Sequence, residues 1–334
     1  MSAESKLEIG TLAVSTSPHI RCDESIAKIM WTVNAVLVPA ALFSIYQFGL
    51  PALRTLVICI AVSMATEYFI QKWQNKPITV NDGSAFLTGL LLAMNIPANI
   101  PWYIPVVGSV AAIGIAKHTM GGLGYNIFNP ALIGRAFLLA SWPIAMTTWP
   151  TPAGWANKVD AVTAATPLGI LKLQGYEELV KFFGDKTDMY MSLFLGTRGG
   201  SAGETSAVLL LLGGLYLIYR KYINWQIPVC MIGTVGIITW AFGGNGGLFT
   251  GDPLLNILSG GLILGAFFMA TDMVTIPITI KGQIIFAVGA GALTSLIRLI
   301  GGYPEGVCYA ILLMNCVTPL IDRLVRPVKF GARR

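Results

Sequence analysis

Apolar residues along this chain do not alternate with polar ones. They run in blocks, parted by short clusters of Gly, Pro, Asn and charged residues. Unbroken blocks of this kind predict buried or membrane-spanning helices and not half-exposed strands. Ten spans are expected, near 30–48, 51–70, 84–96, 102–117, 127–142, 205–220, 226–242, 254–271, 283–300 and 306–322. Crossing a bilayer takes roughly 20 apolar residues, and several blocks fall short, notably 84–96 and 127–142. Each short block is flanked by Gly, Pro or Asn. Interrupted helices are tolerated in a membrane only where the freed backbone groups find protein or water partners.

Composition supports an all-α polytopic membrane protein. Of 334 residues, 54% are hydrophobic and 11% charged, against about 25% charged in ordinary soluble domains. That deficit excludes a cytosolic enzyme, a disordered chain and a nucleic-acid binder. The net charge of +6 finds its explanation in topology. With ten spans both termini share a side. That side receives Lys6, Arg21, Lys28, Lys72, Lys76, Lys117, Arg220, Lys221, Lys281, Arg323, Arg326, Lys329, Arg333 and Arg334. The short loops opposite carry almost none, apart from Arg54 and Arg298 near span ends, and the long loop 143–204 mixes five basic with six acidic residues. Both termini are therefore expected in the cytoplasm and loop 143–204 outside. No cleavable signal is expected, because the first 25 residues hold six charged side chains and lack a long apolar core.

An internal repeat is visible. Gly89–Pro101 lies over Gly265–Pro277 at an offset of 176, and Pro130, Ala136, Leu138 and Leu139 lie over Pro304, Ala310, Leu312 and Leu313 at 174. Five spans per unit is an odd number, so the halves are inverted. Inverted repeats place sites at their interface, on discontinuous helices. The chain thus divides into an N-terminal segment 1–29, a first five-helix repeat 30–142, the external loop 143–204, a second repeat 205–322 and a basic tail 323–334.

Candidate chemistry is sparse. Five cysteines without a CxxC pair read as small buried hydrophobes, Cys22 alone lying in a polar segment. His19 and His118 read as surface or interface residues, and no catalytic residue or metal-ligand set is expected. No Walker A motif or strand-bound GxGxxG occurs. Glu67 and Arg135 are intramembrane charges, functional by default, or satisfying each other or a helix break. Asn126 and Asn129, three apart at the entry to the fifth span, share a face if helical. Their alternative reading is a helix break satisfied by side-chain amides. Asp272 closes the eighth span, and its alternative is a solvated interfacial acid. The external run Asp160-Ala-Val-Thr-Ala-Ala-Thr166-Pro167 ends as a helix N-cap with proline at the first helical position. On these features alone, a secondary transporter or small-solute channel and a structural scaffold remain open beside a redox protein.

Four segments together resemble the NqrB/RnfD family of ion-translocating electron-transport complexes. They are Ser17-Pro-His-Ile-Arg21 with Ile29-Met30, Asp82-Gly-Ser-Ala85 with Thr88-Gly89, Gly124-Tyr-Asn-Ile-Phe-Asn-Pro-Ala131, and Phe267-Phe-Met-Ala-Thr-Asp272. The short N-terminus and the Asp82–Ala85 entry favour the Rnf branch. The resemblance implies a membrane subunit that is inactive alone, in the bacterial inner membrane, working with the A, B, C, E and G subunits of an Rnf complex to couple electron transfer from NADH- or ferredoxin-linked partners to Na⁺ or H⁺ movement. It also implies FMN joined through its phosphate to Thr166, with Ala164 standing where the family motif has glycine and Thr163 as runner-up. A second, non-covalent flavin, riboflavin, is implied within the membrane domain. Asn126, Asn129 and Asp272 are its candidate contacts, since amides match the donor and acceptor edge of the ring.

Overall fold

The computed structural model describes residues 24–150, 152, 163–164, 166–196, 199–204, 206–244 and 247–327. His19, Cys22, Asp160, the Ser17–Arg21 signature and the tail beyond residue 327 lie outside the described residues.

A helix occupies each block expected from the sequence. The first half comprises α1 (Ile26–Phe48), α2 (Leu50–Trp73), α3 (Ser84–Asn95), α4 (Tyr103–Val110, continuing as a π-helix over Ala111–His118) and α5 (Pro130–Ser141). A connecting region follows. It holds α6 (Pro143–Thr147), a two-residue antiparallel ladder pairing β1 (Trp149–Pro150) with β2 (Thr163–Ala164), then α7 (Pro167–Gln174), α8 (Tyr176–Phe183) and α9 (Lys186–Leu195). The second half comprises α10 (Ala207–Tyr219), α11 (Gln226–Phe242), α12 (Pro253–Leu258), α13 (Leu262–Leu264, continuing as a π-helix over Gly265–Met269), α14 (Ile280–Leu299) and α15 (Val307–Leu324).

Four helices, α1, α2, α14 and α15, are long and apolar enough to cross a membrane by length and composition, and five more apolar helices are shorter. On these helices Val57, Leu212, Ile237, Leu296 and Leu320 are more than half exposed. Large apolar side chains exposed in that number mark a surface that meets lipid. Trp73, Tyr125, Tyr219 and Trp225 ring one end, and Trp102, Tyr103 and Ile144 stand exposed at the other, where interfacial aromatics are expected. The first end is called the Ser25 face and the second the Thr166 face.

Local chemistry sets the helix ends. Ser25 caps α1 by accepting the Lys28 amide at 3.2 Å. Gly49, at φ +68°, is the entire connection to α2, a conformation that L residues other than glycine rarely adopt. The block expected at 254–271 is one element only in outline. It is broken at Ser259–Gly261, where Arg298 donates to the carbonyls of Asn256 and Ser259.

In the first half α2 packs on both α3 and α4, and α4 on α5. In the second, α11 packs on α12 and α14, and α14 on α15. The tightest approaches use glycine. A Cβ on Gly89 would lie 2.7 Å from the Cys59 carbonyl oxygen, and one on Gly291 would lie 2.7 Å from that of Met231. Small residues let membrane helices reach van der Waals contact. Gly291→Val should therefore force α14 off α11 and cost at least the 1–3 kcal/mol typical of overpacking. The expected result is a sharp loss of monodisperse protein in detergent gel filtration, with Gly302→Val, in open space, as the neutral comparison.

Three sequence expectations change here. The segment 143–204 is not an open loop but carries four helices. Lys117, counted among the basic residues on the side of the termini, is 1% exposed, and His118, expected at a surface or interface, is 6% exposed. Among the described cysteines, Cys59 and Cys308 are buried and Cys230 is half-buried, but Cys316 is exposed on α15.

Candidate functional site

A cavity opens on the Ser25 face between the two halves. Its walls are apolar side chains of α1, α3, α10 and α13, among them Leu87, Leu91, Leu217, Phe267 and Phe268. Into it converge Ser84, Lys117, Asn126, Asn129 and Asp272. Apolar walls with a few convergent polar groups are the usual make-up of a small-molecule site. The cavity is narrow, about 90 Å³ in volume.

The three residues that the sequence singled out do meet here, though not as expected. Asn126 lies in the loop before α5, so it shares no helix face with Asn129. Asn129 is the N-cap of α5, and Pro130 takes the first helical position. The Asn129 Oδ1 accepts from the amides of Ala131 (3.0 Å) and Leu132 (3.4 Å), and its Nδ2 donates to the Met269 carbonyl at 3.3 Å. Its amide thus closes a helix break and ties the two halves together, leaving one N–H for a ligand. Asn126 donates to the Phe128 carbonyl at 3.1 Å and reaches the Asp272 carboxylate. Asp272 is half-buried in the turn after the second π-helix and accepts from the Val274 amide at 3.4 Å.

Both π-helical stretches border this cavity, one bringing Lys117 and the other Phe267 and Phe268. Such distortions are frequent at functional sites. The sequence reading missed Lys117. Its Nζ donates to both oxygens of Glu67 at 2.8 Å and to Ser84 Oγ at 2.7 Å, using all three of its hydrogens. Gln71 adds a bond to Glu67 at 3.2 Å, and Ser84 Oγ donates in turn to Asp82 at 2.6 Å. The signal was present, since Glu67 and Lys117 each close an apolar block on the same side of the chain.

Glu67 and Arg135 do not pair with each other. Arg135 donates to Asn95 Oδ1 at 2.8 Å and forms an ion pair with Glu305, at the start of α15. Asn95 also reaches the Met269 sulfur at 3.5 Å. A buried polar seam therefore runs between the halves, from Glu305 through Arg135 and Asn95 to Met269 and Asn129.

On the Thr166 face, α7, α8, α11, α12 and α14 surround an open cleft of about 1270 Å³ that includes Leu168, Lys172, Tyr176, Asp252 and Arg298. Lys172 donates to the carbonyls of Gly301 and Tyr303. Tyr176 donates to Asp252 at 3.2 Å, as does Tyr190. Burial, then the Asp252 carboxylate, pushes the Tyr190 phenol well above its ordinary value. Thr166 adjoins this cleft as the N-cap of α7. It is 4% exposed, its Oγ1 accepts the Gly169 amide at 3.1 Å, and Pro167 follows at the first helical position. The capping geometry read from the sequence is present. Asp160 lies outside the described residues, and of Thr163 only the backbone is described.

Fold and cavity together define a polytopic α-helical membrane protein built around a polar seam and an apolar-walled pocket. The family profile described as NQR2, RnfD, RnfE matches residues 13–331, and the chain belongs to that family. It is 66% identical, over 99% of its own length and all of the relative's, to the D subunit of the proton-translocating ferredoxin:NAD(+) oxidoreductase complex of Clostridium ljungdahlii. It is 50% identical over 97% of its length to the D subunit of the Na(+)-translocating ferredoxin:NAD(+) oxidoreductase complex of Acetobacterium woodii, covering 96% of that protein. It is 41% identical to the D subunit of the ion-translocating oxidoreductase complex of Stutzerimonas stutzeri, over 92% of each chain.

Proposed function

We propose that this chain is the flavin-carrying membrane component of a redox-driven ion pump, a ferredoxin:NAD⁺ oxidoreductase of the Rnf type. The observation that carries the reading is the 66% identity to the D subunit of such a complex across essentially the whole of both chains. Its partners are the remaining subunits of that complex and the lipid bilayer. The relatives' names include both proton and Na⁺ as the translocated ion.

The chain crosses the bacterial inner membrane ten times, as two inverted halves, with the Ser25 face toward the cytoplasm. Two features support this. Three helix pairings recur, α2–α3, α2–α4 and α4–α5 in the first half as α11–α12, α11–α14 and α14–α15 in the second. The short helices α3 and α5, of 12 residues each, reach only about 18 Å at 1.5 Å per residue, and their free ends meet polar partners at the seam. A thiol placed at Leu173, 84% exposed on α7, should react with an impermeant maleimide in intact cells, and one placed at Lys76 only in inverted vesicles. The reverse pattern would overturn the orientation.

Two flavins supply one- and two-electron chemistry when bound; the protein supplies position and electrostatic environment. FMN is carried as a phosphoester on Thr166. The residues fit: Thr166 Oγ1 already sits at the amino end of α7 facing the Gly169 N–H, where backbone donors and the helix dipole favour an anionic phosphate. Lys172, one turn and a half further on, adds positive charge beside the cleft. Riboflavin is held in the Ser25-face cavity. Asn126, Asp272 and the remaining N–H of Asn129 would bond its polar atoms, and Phe267, Phe268 and Leu91 would supply apolar contact. The chemistry of the walls fits this ligand.

An affinity tag on this chain should co-purify the whole complex, with covalent and extractable flavin and with ferredoxin:NAD⁺ oxidoreductase activity. A colourless chain that purifies alone would return the reading to a transporter.

A further inference from the structure

His118 is the last residue of the π-helical stretch of α4, and it is buried beside the Glu67–Lys117 pair. Among the described residues neither ring nitrogen has a hydrogen-bond partner, and Nε2 lies 3.8 Å from Glu67 Oε1. A buried polar group without a partner calls for an explanation. Here a half-formed ion pair supplies it. Glu67 already faces one cation, and a protonated His118 would be a second. Histidine is the side chain that changes charge near neutral pH with the smallest perturbation.

The placement joins this imidazole to two compartments. Lys117 and Ser84 line the cavity, whereas Glu67 and His118 stand behind them. The next residues, Thr119, Met120 and Gly121, are exposed on the Ser25 face, so His118 lies one residue below that surface. The charged groups around it are few. Glu67 comes from α2 and Lys117 from its own stretch. Asp82 stands one hydrogen bond behind Ser84 at the start of α3, and Asp272 faces Lys117 across the cavity. Arg135, on α5, is committed to Asn95 and Glu305.

We propose that His118, Glu67 and Lys117 form a proton-binding site that loads one proton from the Ser25 face when negative charge arrives in the adjoining cavity. The proposal rests on the reading that the cavity holds a redox group. One electron from a reduced iron–sulfur protein adds one negative charge there and oxidises the donor by one electron. One proton from water on the Ser25 face forms an N–H bond on the imidazole, which becomes imidazolium against Glu67. Lys117 stays bonded to Glu67 and Ser84 throughout, through all three of its hydrogens. When the electron leaves for the next acceptor, the N–H bond breaks and the proton is released.

The test uses the assembled complex. Reduction is followed by infrared difference spectroscopy with ring-¹⁵N histidine, and proton uptake is read from an indicator dye in weakly buffered solution. The expected result is a ¹⁵N-sensitive imidazole-to-imidazolium change in the wild type. In a His118→Gln complex with unchanged flavin content this change is absent, and proton uptake per electron falls by up to one. The same band and uptake in that variant would overturn the proposal. So would a wild-type complex that shows no histidine band on reduction, which needs no variant at all. Extraction of non-covalent flavin from the wild type separates the two readings. If none is found the cavity assignment fails, and the histidine band alone then decides the proton site.

Discussion

Thr166→Ala should abolish the flavin fluorescence of the denatured chain in a gel, a loss from full signal to background. An ester needs the threonine oxygen, and alanine removes it. Thr166→Ser keeps the oxygen and should keep the fluorescence; Thr163→Ala should keep it or lower it only in part. The structure adds a second effect. Thr166 caps α7 and is nearly buried, so the alanine variant also loses a cap worth about 1 kcal/mol. That is too little to prevent insertion of a polytopic chain whose core lies elsewhere. The variant should therefore reach the membrane at near wild-type level and be slightly less heat-stable. Persistent fluorescence in Thr166→Ala would remove the attachment assignment.

Lys117→Met should be the most destabilising single change in the first half. It leaves Glu67, 1% exposed, with Gln71 at 3.2 Å and the His118 ring at 3.8 Å in place of a fully bonded ammonium. Removing one partner of a buried pair costs about 3–5 kcal/mol because the other charge stays behind. Replacing both, as Lys117→Met with Glu67→Leu, should recover most of the loss, since two apolar side chains of similar volume satisfy each other there. The measurement is the midpoint of thermal unfolding in detergent for the two single variants and the double variant. Additive losses would mean that the two side chains act independently, and the pairing would then have no energetic meaning.

The positions of the long helices were readable because unbroken apolar blocks leave little choice of state. The block 226–242 coincides with α11, and 84–96 overshoots α3 by a single residue. The end of one block was misjudged for a local reason. The fifth helix starts at Pro130 and not at 127, because Asn129 and Pro130 are a cap and a first helical residue. The Ser-Gly-Gly run at 259–261 announced the break that splits the eighth block, with Gly260 at φ +69°, yet the surrounding hydrophobicity masked it.

The helices of the 143–204 region were missed because they are short and mixed in polarity, and their order comes from tertiary contacts such as Tyr190 and Tyr176 with Asp252. At the cavity, residue types were legible and geometry was not. Asn126, Asn129 and Asp272 do converge, but two of them are largely spent on backbone groups. Which charges pair was also hidden. Glu67 finds Lys117, 50 positions away, and Arg135 finds Glu305, 170 positions away. Such partners become neighbours only through the arrangement of whole helices.

The one-residue link at Gly49 bears on how the protein enters the membrane. Helices α1 and α2 together span 26–73 with no loop between them. Apart from Arg54, one turn into α2, no charged side chain near the tip has to be carried across the bilayer to bring the second helix into register with the first. The pair can leave the ribosome and enter the lipid as a single hairpin, its tip a bare glycine and a proline. Lys28 and Lys72 place positive charge at the two open ends, both on the Ser25 face. Everything downstream inherits its orientation from that first insertion event, so a polar residue added at the tip would act on biogenesis well before it acted on the folded state.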